Sequence, residues 1–257
     1  MNMQSVSLVY FSPTNTTRKA AQAIAKGTGL PLKQEINATA PAVREQSYSF
    51  AEDELLIVGM PVYGGRIPSL CFDFVKALQG NNTPVVLLAM YGNRDYDHAL
   101  IEMHALLEPN GFHTMACGMF IGTHSYNEEI AKGRPNAADL EQAAAFGKAV
   151  VEKIASGAAP MTLFDLLKAP AAKKGVAPVV SEACVGCGNC AAACPSGAIT
   201  VEDIKHPDAS KCIMCMACTR YCPQGAIQFA AEVGVDKMAA FCMERFGTPD
   251  KENKTLL

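Results

Sequence analysis

The chain has 257 residues, and its 22 basic against 25 acidic side chains give a net charge of −3. That length holds one or two domains with ordinary cores, and an acidic balance speaks against nucleic acid as a partner. No stretch offers eighteen uninterrupted apolar residues and MNMQSVSLVYF has no basic leader before a long apolar run, so no membrane span is expected and a cytoplasmic setting fits.

Residues 6–11 are apolar, β-branched and aromatic, and they break at SPTNTT before a helical pattern that includes Ala20, Ala21, Ile24 and Ala25. A short extended piece follows at residues 33–36. Residues 54–60 read as a buried strand ending in PVYGGRIP, with a helix over 69–78. Residues 84–91 supply another apolar strand, ended by GNRDYD and followed by a helix over 98–107. Residues 112–121 complete the strands before the loop GTHSYN. Asn136 and Asp139 mark a helix start, and Leu140, Ala143, Ala144, Gly147, Val151 and Ile154 its inner face. Alternating helices and continuously apolar strands predict an α/β doubly wound, five-stranded parallel sheet of flavodoxin-like order 2-1-3-4-5, whose ligand sits beyond the carboxyl ends of the strands.

Residues 1–156 are therefore expected to form the first domain and 157–178 a linker rich in Ala, Pro, Gly and Lys, in which MTLFDLL forms a docked turn. Residues 179–231 form a second, small α+β domain. In residues 232–257, Val235, Met238, Ala239, Cys242, Met243 and Phe246 recur at helical spacing, with Gly247 and Pro249 as stops. This helix is expected to clamp the two domains together or cover a cluster, and the tail DKENKTLL to be loose.

The small domain holds the most specific signal. CVGCGNCAAACPSGAI from Cys184 and CIMCMACTRYCPQGAI from Cys212 match, at an offset of 28 residues, at every cysteine and at Pro, Gly, Ala and Ile. Thiolates two residues apart on a tight loop each take one corner of an iron–sulfur cube, while the fourth cysteine crosses to the cube of the other run. One 4Fe-4S cluster is thus expected on Cys184, Cys187, Cys190 and Cys222, and a second on Cys212, Cys215, Cys218 and Cys194. Zinc and a disulfide framework are the competing readings. Zinc has no use for the third cysteine of CxxCxxC, and disulfides belong to oxidising compartments. This stretch resembles a bacterial two-cluster ferredoxin over its whole length.

SPTNTT places hydroxyls at Ser12, Thr14, Thr16 and Thr17 between a strand and a helix, where backbone amides and side chains can hold a phosphate without a lysine. A Walker lysine and a GxGxxG spacing are both missing. Here the first domain resembles the flavodoxins. The resemblance implies an FMN phosphate on Ser12, Thr14, Asn15, Thr16 and Thr17, one ring face on Pro61, Val62, Tyr63, Gly64 and Gly65, and the other on Tyr91, Gly92, Asn93, Arg94, Tyr96 and Asp97. Asn15 stands where that family has glycine, and Asn tolerates the left-handed backbone best among the other residues. With Trp absent, Tyr63, Tyr91 and Tyr96 are the aromatics available to stack. His124 and Tyr126 follow the last strand and face the ligand or the small domain. Cys71, Cys117 and Cys242 lie in apolar patterns as small buried hydrophobes.

The combination resembles flavodoxin–ferredoxin fusion proteins over nearly the full chain. It implies an electron-transfer protein of anaerobic metabolism, passing electrons between clusters, FMN and a redox partner protein or reductase. The alternative is an FMN-dependent oxidoreductase reducing a quinone or nitro compound, with the clusters as feed. A homodimer is left open. Glycines and Asn189 open the first cluster loop to water while Ile213, Met214, Met216 and Ala217 wrap the second, so the second cluster is expected to have the lower potential.

Overall fold

The computed structural model describes residues 3–163 and 175–257. The sheet is built from β1 (Ser5–Tyr10), β2 (Leu32–Asn37), β3 (Glu54–Pro61), β4 (Thr83–Tyr91) and β5 (Phe112–Ile121), all parallel. The cysteine-rich part adds a two-stranded pair, β6 (Val179–Val180) with β7 (Ile227–Gln228), and the chain ends in β8 (Lys254–Leu256). The large sheet runs β8-β5-β4-β3-β1-β2. Every residue of β3 and β4 is buried, because helices cover both faces of the two central strands.

Alternation along each strand feeds two cores. Leu55 and Ile57 point to one, with Ala20, Ala21 and Ile24 of α1 (Thr16–Gly27) and Ala143, Phe146 and Val150 of α5 (Ala137–Ala155). Leu56, Val58 and Met60 point to the other. They meet Phe74 and Val75 of α3 (Phe72–Ala77) and Ala99, Leu100 and Met103 of α4 (Ala99–Leu107); the short α2 (Pro41–Arg44) precedes α3. The α5 start is a reciprocal cap: Asn136 Oδ1 accepts from the Asp139 N–H at 3.1 Å and Asp139 Oδ2 from the Asn136 N–H at 2.8 Å.

The cysteine-rich part has its own small core of Cys190, Ile199, Cys218 and Ile227, around α6 (Asn189–Ala192) and α7 (Ala217–Arg220). Two arginines fix it to the large sheet. Arg44 donates to the Pro195 carbonyl at 2.5 Å, and Arg220 pairs with Glu128 at 2.6 Å. Helix α8 (Val235–Phe246) then crosses the boundary, its Ala239 carbonyl accepting from the Asn127 side chain. Of the predicted docked turn, Met161 and Leu163 pack on the core and the Met161 N–H donates to the Thr114 carbonyl at 2.7 Å; residues 164–167 lie outside the described residues.

The tail corrects two expectations. It is not loose, and the sheet has six strands: β8 pairs antiparallel with residues 117–119 of β5. The buried Asn253 side chain accepts from the Ile121 N–H at 2.8 Å and donates to Asp139 and Gln142. An uncovered edge strand offers a row of free amides and carbonyls, so a short polar segment brought there pairs despite having no strand pattern of its own.

Candidate functional site

The loop between β1 and α1 turns on Asn15, which has φ 65° and ψ 3°, the left-handed conformation that its small polar side chain tolerates. That turn aims the α1 N-terminus, with its free amides, at the sheet's carboxyl edge. Thr17 is fully buried there and its hydroxyl has no hydrogen-bond partner. A buried donor without an acceptor costs about 1–3 kcal/mol, so this loop is set for an oxyanion. Thr14, Thr16 and Thr17 line a cavity of about 50 Å³ together with Pro61 and Val62.

A second cavity of about 170 Å³ adjoins it, sharing Val62, Tyr63, Tyr91, Gly92 and His124 and adding Gly64, Gly65 and Arg94. Together they fall short of the ~300 Å³ at which ligand pockets begin, so the lining must open further before it takes a ligand of flavin size. The roof of this ring-side cavity comes from elsewhere in the chain: Tyr126, Ile213 and Met214 of the second cysteine run, and Cys242 of α8. Burial pushes the Tyr126 phenol up, and the thiols of Cys242, Cys215 and Cys212 add to it.

Not every predicted residue reaches these cavities. Ser12 and Asn15 line a third, wide cleft of about 680 Å³ against Cys194 and Tyr221. It is wider than the other two, and part of its polar lining is already paired, with Arg18 on Glu35 and the Thr39 hydroxyl accepting from the Ser12 N–H. Three residues expected in the 91–97 loop lie outside both of the smaller cavities. Asn93 is buried but turned away, its amide donating to the Phe246 and Pro249 carbonyls and its oxygen accepting from Lys251. Tyr96 packs edge-on against Tyr91 at 6.0 Å instead of facing the ring-side cavity. Asp97 pairs with Arg94 and abuts Gly65. Asn93 is drawn off by partners distant in sequence, Asp97 by a local charge and Tyr96 by a neighbouring ring, none of which the motif alone reveals.

The eight cysteines of the repeat gather in two crossed sets. Cys184, Cys187, Cys190 and Cys222 line one cavity, and Cys194, Cys212, Cys215 and Cys218 another. Among the described residues no three His, Cys, Asp or Glu side chains converge on a single point. Thiols spread around a hollow are what a multi-iron cube requires, since each holds a different corner. Burial pushes the Cys215 thiol up to about 12, and the Cys218 thiol likewise, with neighbouring thiols adding to both. Such thiolates need nearby cations to be stable. Cys222 differs: burial opposes, but backbone amides led by that of Ala226, 3.3 Å from its sulfur, hold its thiol below the usual range. Cys187 and Val185 are exposed, whereas Cys215, Met216 and Cys218 are buried.

Residues 183–227 match the family described as a 4Fe-4S dicluster domain. No curated protein matches the chain. Among solved structures, a flavodoxin from the domain Archaea is 17% identical, covering 59% of this chain and 99% of its own at a TM-score of 0.40. Flavodoxin 2 from Bacillus cereus is 15% identical, covering 58% and 99% at 0.39. The flavodiiron core of Flv1 from Synechocystis sp. PCC6803 is 18% identical, covering 61% of this chain but 37% of that one at 0.41.

Proposed function

We propose that this fusion of a flavodoxin-like domain with an iron–sulfur segment is an electron carrier in which two 4Fe-4S clusters connect a redox partner to bound FMN. Cys184, Cys187, Cys190 and Cys222 would hold the outer cluster, whose loop faces solvent and meets the partner. Cys212, Cys215, Cys218 and Cys194 would hold the inner one. Thr14, Thr16 and Thr17 would take the FMN phosphate, with the ring between Val62, Tyr63, Gly64 and Gly65 on one side and Tyr91, Gly92 and Arg94 on the other. When bound, the clusters supply one-electron steps and the flavin joins one- to two-electron chemistry.

The observation that carries this reading is the shared cavity. Ile213 and Met214, between two cysteines of the inner set, line the same hollow as the flavin-loop residues. The inner cluster would therefore stand beside the ring with no diffusional encounter between them. That Tyr126, Met214 and Cys242 also line this hollow supports carriage over direct reduction of a quinone or nitro compound, because they leave less of its wall for a free substrate.

The test is anaerobic. Protein with its iron, sulfide and flavin counted is mixed with a reduced one-electron donor protein, and flavin bleaching is followed. Cys215→Ser, which keeps the flavin loops intact, is expected to retain flavin yet lose its reduction by the donor; unchanged bleaching in that variant would end the proposal.

A further inference from the structure

The loop after β5 holds a group that the electron-carrier reading leaves unused. His124 lines both the phosphate-side and the ring-side cavities. Its ring packs so closely on Gly92 that a Cβ there would come within 2.5 Å of His124 Cδ2. The Tyr126 backbone N–H donates to His124 Nδ1 at 3.1 Å, which makes Nδ1 the acceptor and leaves the proton of the neutral ring on Nε2. Among the described residues no protein group pairs with that Nε2–H.

The charges around His124 keep this state. Arg220, on the helix between Cys218 and Cys222, donates to the His124 carbonyl at 2.8 Å and pairs with Glu128. Tyr63 and Tyr126 present phenols, and Arg94 and Asp95 line the ring-side cavity with it. Burial, then the Arg220 guanidinium, hold the imidazole below its ordinary range. A proton on Nδ1 would also turn the acceptor of the Tyr126 N–H into an opposing donor.

We propose that His124 is a flavin-binding residue, its Nε2–H donating to an acceptor atom of the isoalloxazine ring, and that Arg220 positions it from the iron–sulfur side. The inference rests on the flavin reading above. The ring is the better acceptor than the phosphate on two grounds. Gly92, against which His124 packs, belongs to the ring loop, and Tyr126, which fixes the tautomer, lines the ring-side cavity alone. An uncharged imidazole also adds little beside a phosphate dianion that a helix N-terminus already meets.

The experiment titrates full-length, cluster-loaded protein with FMN and with riboflavin, which lacks the phosphate. Losing the donor in His124→Phe is expected to weaken both ligands about tenfold, and His124→Asn, which keeps a side-chain N–H, to recover most of that. Arg220→Gln should weaken both by about threefold. Unchanged affinity in His124→Phe, or a loss confined to FMN, would overturn the proposal. A wild-type protein that takes up neither ligand removes the flavin reading itself, a result distinct from any of the variant outcomes.

Discussion

The two cysteine loops trace the same path with opposite residues. The first turns left-handed at Gly186 and Gly188, with φ of 69° and 77°. The second makes the same two turns at Met214 and Met216, with φ of 55° and 63°. A side chain in that conformation costs about 1–2 kcal/mol per residue relative to glycine. The second loop bears that cost twice, and in return Met216 is buried in the inner cysteine cavity while Met214 roofs the ring-side one. Where the chain meets solvent it keeps glycine; where it meets the candidate flavin site it carries bulk. The strain is thus placed at the inner contact, where Met216 lines the inner cysteine cavity and Met214 the ring-side one.

Breaking the inner set gives the largest expected effect on that contrast. Cys215→Ser should remove about half of the iron and abolish electron delivery to flavin, because a hydroxyl is a poor substitute for a thiolate at iron. The equivalent change in the exposed loop, Cys187→Ser, should cut partner-driven reduction while leaving chemically photoreduced flavin able to exchange with the inner cluster. Metal analysis and stopped-flow absorbance check both. Met216→Gly follows. Losing a buried methionine costs about 2–3 kcal/mol, relief of the turn returns about 1 kcal/mol, and urea unfolding should show a net loss of about 1–2 kcal/mol. Thr17→Val, which leaves a phosphate oxygen unpaired, should weaken FMN about tenfold and riboflavin hardly at all.

A subtler expectation concerns acid. Burial opposes ionisation of Asp139, but Arg134, the Asn136 N–H and Asn253 outweigh it and hold the carboxyl below its ordinary range. A depressed carboxyl lends stability that is complete above the unfolded value of about 4 and drains away as pH falls through the folded one. Hydrogen exchange should therefore show residues 254–256 opening first on acidification, and Asp139→Asn should flatten that pH dependence. The smallest effect is Met214→Gly. Its side chain is only half-buried, so strain relief and lost packing nearly cancel in stability. The inner-cluster potential should still rise as water reaches the sulfurs.

Much of this was legible in the residues. Residues 55–60 and 84–90 are apolar throughout because both faces of the central strands are covered, so their place in a doubly wound sheet can be read directly. The Asn136–Asp139 pair gave the start of the longest helix, and the 28-residue repeat gave the two cysteine sets that the fold gathers. What escaped was long-range. Nothing local marks Ile213 and Cys242 as walls of a cavity shared with loops far away in sequence, or Asn93 as a tie to the tail. Arg220 sits between cysteines as an unremarked basic residue, and only tertiary contact gives it His124 and Glu128. A three-residue polar strand carries too little pattern to be seen at all.

That final strand changes how the iron–sulfur part can behave. The segment leaving α5 is pinned at Thr114, and the segment returning after α8 is stitched along β5 through Asn253 and residues 254–256. Residue 161 before the cysteine-bearing stretch and residues 254–256 after it are thus both held on one strand, as the two feet of an arch share one ground. If clusters and flavin are held as proposed, anchors on both sides would favour a short, steady gap between them, and a partner would meet the outer loop where it stands.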